Sequence, residues 1–141
     1  MSGSQVRRVD QRMAAAAAKM LPDEVKDALR TRYRQLPVQV RTSGLAATYA
    51  YLLGKSTEKN ELGRAYRRVA DGIRIHLTTH SRLVDAAADT NEKLLRALAD
   101  LDTSAYARAS AEVQALAGWV SRLAEARFAA AYGDRGSEDQ V

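Results

Sequence analysis

Apolar residues recur along most of this chain at steps of three and four, the period of a helix buried on one face. The longest such run lies between Ser104 and Tyr132, where Tyr106, Ala109, Val113, Leu116, Val120 and Leu123 share a face and Gly118 is the only glycine. As one helix it would be roughly 43 Å long at about 1.5 Å per residue. Asp102, Thr103 and Ser104 can cap its start, and Gly133 supplies a stop. So long a stripe requires other helices against it, because its apolar surface cannot remain in water. Trp119, the only tryptophan, flanks the stripe beside Leu116 and Leu123 and is expected to bury, with Leu116, against residues 36–53.

The same period predicts the remaining elements. Val6, Val9, Met13, Ala16 and Met20 define a first helix over residues 5–20, stopped by Pro22, which can open the next. Val25, Leu29, Tyr33 and Leu36 line that second helix, which Pro37 should break or kink by clashing with the Tyr33 carbonyl. Val38 and Val40 alternate as in a strand, but the run is too short and lies between helical segments. A short helix ending near Gly44 and another from Leu45 to Leu53, closed by Gly54, are expected instead, followed by a polar loop over residues 55–60. Leu62, Tyr66, Val69, Ile73 and Leu77 mark the next helix, and Thr78 to Ser81 break it. Leu83 to Leu101 is predicted helical, with an interruption near Asp89–Asn91. The fold class is therefore all-α: a single compact bundle of about six or seven helices with a long C-terminal helix, the core spanning about 5–132 of residues 1–141 and a polar tail over 133–141.

Composition narrows the picture. At 141 residues the chain can bury one core, and its 6% aromatic content with abundant alanine favours close helix packing over sheets. With no cysteine there is no disulfide framework, no apolar run approaches a membrane span, and Arg7 and Arg8 are followed by Asp10 and Arg12 rather than a leader's apolar core. A cytoplasmic protein without membrane partners is expected. The net charge of +5 conceals an asymmetry: residues 1–82 hold 16 Lys and Arg against 7 Asp and Glu, residues 83–141 hold 6 against 10. A basic half points to a polyanionic partner.

Groups for catalysis are scarce. His76 and His80 are four residues apart, but the position after His76 is Leu77, not the glutamate a zinc-protease helix needs, and the pair reads as two semi-exposed histidines at a helix end. There is no thiol nucleophile, no serine in a nucleophile elbow and no glycine-rich phosphate loop. Neither enzymatic activity nor a metal or nucleotide cofactor is expected. Phosphate binding asks only for a basic surface. Arg64, Arg67 and Arg68 lie within one turn of each other, Arg74 follows two turns after Arg67, and Lys55 and Lys59 precede them. Set against that, Glu61 and Asp71 allow the same residues to be a solvated helix face. Tyr49 and Tyr51 are candidates to stack on bases, Tyr49 being the better fit to the core.

Two stretches resemble a known family. Leu36-Pro37-Val38-Gln39-Val40-Arg41-Thr42-Ser43-Gly44-Leu45, leading into the small-residue segment Ala46 to Leu53, is similar to a Leu-Pro, aliphatic-Arg, Asn-Gly-Leu pattern of the small helical subunit of the type III-B (Cmr-type) CRISPR RNA-guided effector complex. Tyr106 through Glu112, with Leu116, Trp119, Arg122, Leu123 and Glu125, resembles that family's final Tyr…Trp-aliphatic-x-Arg helix, and Gln11-Arg12-Met13-Ala14 fits its first helix. Ser43 stands where the family tends to have Asn, and Leu123 where an aromatic is common.

The resemblance, covering roughly residues 5–130, implies a non-catalytic part. It would stack with copies of itself along the filament of backbone subunits, meet the large subunit, and help hold the duplex of guide RNA and target RNA in antiviral defence. Arg41 and Arg122 carry over as candidate RNA or partner contacts and Trp119 as packing. Charge and spacing add Lys55, Arg64, Arg67, Arg68 and Arg74 as RNA-binding candidates, with Arg67 and Arg74 off the apolar stripe and so removable without harm to the fold. The competing reading is a helical protein–protein adaptor that binds no nucleic acid. A DNA-binding regulator is less well served, since Gly44 and Gly54 do not bound a recognition helix.

Overall fold

The computed structural model describes the backbone of residues 2–139 and the side chains of residues 9–133. The side chains of Val6, Arg7, Arg8 and the polar tail from Asp134 lie outside the described residues. Six α-helices follow in order: α1 (Ser2–Lys19), α2 (Asp27–Ser43), α3 (Leu45–Lys55), α4 (Glu61–Ile75), α5 (Asn91–Asp100) and α6 (Thr103–Asp139). A wide five-residue turn, His76–His80, extends α4. There is no strand among the described residues, and no helix there is long and apolar enough to cross a membrane.

The 37-residue α6 is the spine, and α1 and α2 pack along it. Ala109, Val113, Leu116, Ala117, Val120 and Ala124 are all buried on its inner side. Half of these are alanine, so neighbouring backbones come close to the α6 axis. α2 answers with Leu29, Tyr33, Leu36 and Val40. On the far side, α3 packs against α4 and α5, with Tyr49 and Leu52 enclosed. The helix starts carry the caps that their sequences allow: Asn60 accepts from the Gly63 N–H at 2.8 Å, Thr90 from Lys93 at 3.1 Å, and Asp102 from Ala105 at 2.8 Å.

The two family-like stretches meet at the α2–α3 junction. Gly44 has φ of +93°, a conformation that side chains disfavour, which lets the chain end one helix and begin the next without a connecting loop. The Tyr106 hydroxyl of α6 lies over this corner and accepts a hydrogen bond from the Ala46 N–H at 3.0 Å, satisfying one of the free donors at the α3 N-terminus.

Several expectations are corrected. α2 begins at Asp27, not Pro22, because the connection is itself core: Leu21 and Val25 are buried, and Arg127 of α6 donates to the carbonyls of Ala18, Leu21 and Pro22 at 2.9–3.2 Å. Pro37 does not end the helix; the stripe of Leu29, Tyr33, Leu36 and Val40 runs through it, and packing on α6 outweighs one missing backbone bond. α3 runs through Gly54 to Lys55, and α6 through Gly133. Residues 82–90 are not helical. Arg82 takes φ of +56°, Asp85 accepts from the Ala87 N–H at 2.8 Å and Thr90 caps α5, so local side-chain bonds override the alanine run. Leu116 is buried as expected, but Trp119 is half-buried and turned toward α1, its indole N–H donating to Asp10 Oδ1 at 3.0 Å. An indole needs a polar partner for its N–H, and the flank of the stripe provides one.

Glycine positions give a stability test. A Cβ at Gly63 would sit 1.9 Å from the Glu58 carbonyl oxygen, whereas one at Gly54 would meet nothing within 4 Å. Gly63→Ala should therefore lose roughly 1–3 kcal/mol in urea denaturation. Gly54→Ala should be neutral or gain up to about 1 kcal/mol, since it removes a flexible residue from a helix.

Candidate nucleic-acid interface

α4 divides its residues sharply. Ala65, Tyr66, Val69, Ala70 and Ile73 are buried, while Arg64, Arg67 and Arg68 are exposed. Arg64 and Arg68, one turn apart, form no ion pair among the described residues and border a depression with Pro22, Leu29, Glu61 and Ala65. Arg68 also borders a second, larger depression of about 430 Å³ between α1 and α4, whose rim includes Arg12, Lys19 and His80. Arg12 and Lys19 are likewise without an ion pair among the described residues. Their spacing of seven, two helical turns, was the available signal; the alanine run between them drew attention to packing instead. One acid, Asp71, also borders this second depression, and Glu61 borders the first while holding Lys26 at 3.5 Å.

The other sequence-derived candidates are placed elsewhere. Arg74 is half-buried and engaged within the fold. Its Nε donates to Asn91 Oδ1 at 2.9 Å and its guanidinium lies 3.6 Å from Asp71. The Tyr49 hydroxyl reaches the same Asn91 oxygen at 2.9 Å, and Asn91 Nδ2 donates to Asp71 at 2.9 Å, so four side chains tie α3, α4 and α5 together. Arg67 is exposed but donates to the Ser56 carbonyl at 2.7 Å, holding the α3–α4 loop. Lys55 is half-buried, 3.9 Å from Glu58. Arg41, at the end of α2, and Arg122, with its guanidinium 5.6 Å from the Trp119 ring, are exposed but do not border the depressions that Arg64 and Arg68 share.

His76 is also corrected: it is buried, at 6% exposure, and only His80 is exposed. The Ser81 N–H donates to the His76 carbonyl five residues back, and this wide turn points the His76 ring inward. Its Nε2 has no hydrogen-bond partner and lies 3.9 Å from Glu112 of α6, whose Oε2 is equally unpartnered. Burial pushes the imidazole below its ordinary pKa; Glu112 opposes this and His80 adds to it. The buried Tyr33 hydroxyl also lacks a partner, and burial pushes it up to about 12, with Arg68 pulling it down and Glu61 up. It is a neutral donor at physiological pH beneath the Arg64–Arg68 surface. Asp89, exposed on the 82–90 segment, is held below its usual range by the hydrogen bond from Lys93.

Chemically, these features combine, on adjoining depressions, guanidinium and ammonium groups without ion pairs among the described residues. Among the described residues no group of three or more His, Cys, Asp or Glu is placed to hold a metal ion. Such a surface can bind phosphates and read no base sequence through them.

A family model described as CRISPR-associated protein (Cas_Cmr5) matches residues 5–127. No curated protein and no solved structure matches the chain.

Two outcomes follow from the polar groups beneath this surface. Asn91→Leu removes the partner that Tyr49, Arg74 and Asp71 share, leaving the Tyr49 hydroxyl on the Ala70 carbonyl and Arg74 beside Asp71, and should cost about 1–3 kcal/mol by urea denaturation, with Arg74→Gln also destabilising. His76, neutral when folded, must protonate on unfolding below about pH 6.5, so its contribution to stability is complete above that value and declines as pH falls. The decline should be no steeper than about 1.4 kcal/mol per pH unit for one proton, and His76→Gln should flatten it between about pH 7 and pH 5.

Proposed function

The chain belongs to the CRISPR-associated Cas_Cmr5 family, and on that premise we propose that it is the non-catalytic small subunit of a type III-B effector ribonucleoprotein, stacking with its own copies and holding the guide RNA–target RNA duplex. Membership makes it a CRISPR-associated subunit of a Cmr complex. The observation that carries the RNA-holding part is the set of cations without ion pairs among the described residues, Arg12 and Lys19 on α1 with Arg64 and Arg68 on α4, bordering two depressions that share Arg68. Arginines and lysines the fold does not use are free to replace the counterions of a phosphate backbone, and their release drives binding. Two helices presenting charges a turn or two apart can follow a backbone in either strand of a duplex, and nothing in that geometry selects a sequence.

Cleavage chemistry is assigned in this reading to other subunits. A single copy offers few phosphate contacts, so capture by the assembled complex relies on several copies acting on one strand. Partners beyond RNA are the backbone and large subunits and further copies of the chain, in the cytoplasm.

The test is a salt titration of RNA capture by assembled complexes carrying wild-type chain or Arg64→Gln with Arg68→Gln. Both side chains are exposed and unpaired, so the fold should stand. Two lost contacts per copy should flatten the plot of log affinity against log salt by about 1.4–1.8 for each copy engaged on the strand, equally on two unrelated guide–target pairs. An unchanged slope, or a defect confined to one sequence, would reject this surface as the phosphate track and favour a protein-only adaptor.

A further inference from the structure

On the other side of the α2–α4 seam is a third depression, of about 460 Å³, between α2, α3 and α4. Its apolar surface comes from Val38 and Tyr51, exposed at 47% and 37%, with Leu36 and Tyr66 behind them. Its polar lining adds amides to cations: Gln35 and Gln39, the Thr42 hydroxyl, and the guanidiniums of Arg32 and Arg34. Arg32 forms no ion pair among the described residues, while its neighbours Arg30 and Arg34 are both engaged by Glu125.

Tyr51 is held rather than adrift. The Tyr66 ring meets it edge-on, with centroids 5.9 Å apart and planes at 88°, and the Lys55 ammonium stands 5.8 Å from its centroid. An exposed aromatic fixed in orientation, with a cation beside it, is a platform for another flat ring. Primary amides present donor and acceptor together, the combination that pairs with the edge of a nucleobase. The seam itself joins this depression to the phosphate-binding surface: Leu29 and Ala65 border both the Arg64–Arg68 depression and a narrow cleft along the seam, and Arg32, Leu36 and Tyr66 border both that cleft and the Tyr51 depression.

We propose that the depression lined by Tyr51, Val38, Gln35 and Gln39 accepts one unstacked nucleobase of an RNA strand, stacked on Tyr51, with Arg32 on its phosphate. The inference rests on the RNA-binding reading. The charge of the track favours this occupant over an acidic partner helix: a base enters through its flat face and edge, and its own backbone supplies the anion for Arg32. An acidic helix would bring several carboxylates to a depression where Arg34 is already paired with Glu125 and only Arg32 is without an ion pair among the described residues, and the Gln35 and Gln39 amides offer them no charge.

The experiment is fluorescence anisotropy of the full chain at low salt with two single-stranded oligoribonucleotides of equal length, one ordinary and one with abasic sites throughout. Wild type should prefer the ordinary strand by about 5- to 150-fold, the equivalent of the roughly 1–3 kcal/mol a stacked base is worth. Tyr51→Ala should lose that preference without changing the salt slope, Tyr51→Phe should keep it, and Val38→Glu should abolish it by placing a carboxylate at the mouth, which keeps the test open if Tyr51→Ala fails to fold. Equal wild-type affinity for both strands, or a Tyr51→Phe defect as large as that of Tyr51→Ala, would overturn the pocket while leaving phosphate binding in place. Failure of wild type to bind either strand at low salt would overturn the pocket, while the RNA reading stands or falls with the salt titration of assembled complexes.

Discussion

Everything in this bundle depends on how closely two helices can lie against α6. Ala109, Ala117 and Ala124 alternate with Val113, Leu116 and Val120 along its buried side, so the surface offered to α1 and α2 is low and the helix backbones come near. Alanine contributes little apolar area of its own, and the area is supplied by the partners: Met13 from α1, Met20 just beyond it, and Leu29, Tyr33, Leu36 and Val40 from α2. Bulk at any of the three alanines would force these helices away, and with them the chain reversal that Arg127 holds. The same economy appears at Gly72 of α4, where a Cβ would run into the Met20 side chain at 2.3 Å. The depression bordered by Arg12, Lys19 and Arg68 is shaped by that close crossing of α1 and α4.

The fold also decides which charges remain available. α4 carries four arginines within eleven residues, chemically identical and all off the apolar stripe by spacing. Arg74 is engaged by the Asn91 and Asp71 network and Arg67 donates once to the Ser56 carbonyl, while Arg64 and Arg68 form no ion pair among the described residues. A guanidinium with its hydrogen bonds met inside the protein must surrender them to bind a phosphate, and one facing only water need surrender nothing comparable.

The all-α architecture, the long final helix and the core of α2, α4 and α6 were legible in the sequence because each rests on a sustained three-four period. What could not be read were places where a side chain from far along the chain decides the backbone. Arg127 sets the start of α2 from about a hundred residues away, and Asn91 was legible only as a helix interruption, although it is the hub between α3, α4 and α5. The candidate site divided in the same way. Arg64 and Arg68 were named from charge and spacing, whereas the placing of Arg12 and Lys19 near Arg68 depends on α1 lying beside α4, and the engagement of Arg74 depends on Asn91. The burial of His76 needed the wide turn, whose i to i+5 bonding has no signature in hydrophobic periodicity.

The grip of Arg127 has an implication for how this chain can change over generations. Its guanidinium donates to three carbonyl oxygens, of Ala18, Leu21 and Pro22, and to no side chain among the described residues. Carbonyls are common to all twenty amino acids, so this contact places no demand on which residues occupy those positions; any demand comes from what their side chains do elsewhere. The inheritance is one-sided. Drift at the α1–α2 connection leaves the grip intact, but replacing Arg127 itself would release three acceptors at once, and a lysine, with a single charged nitrogen in place of a planar fork, would be a poor substitute.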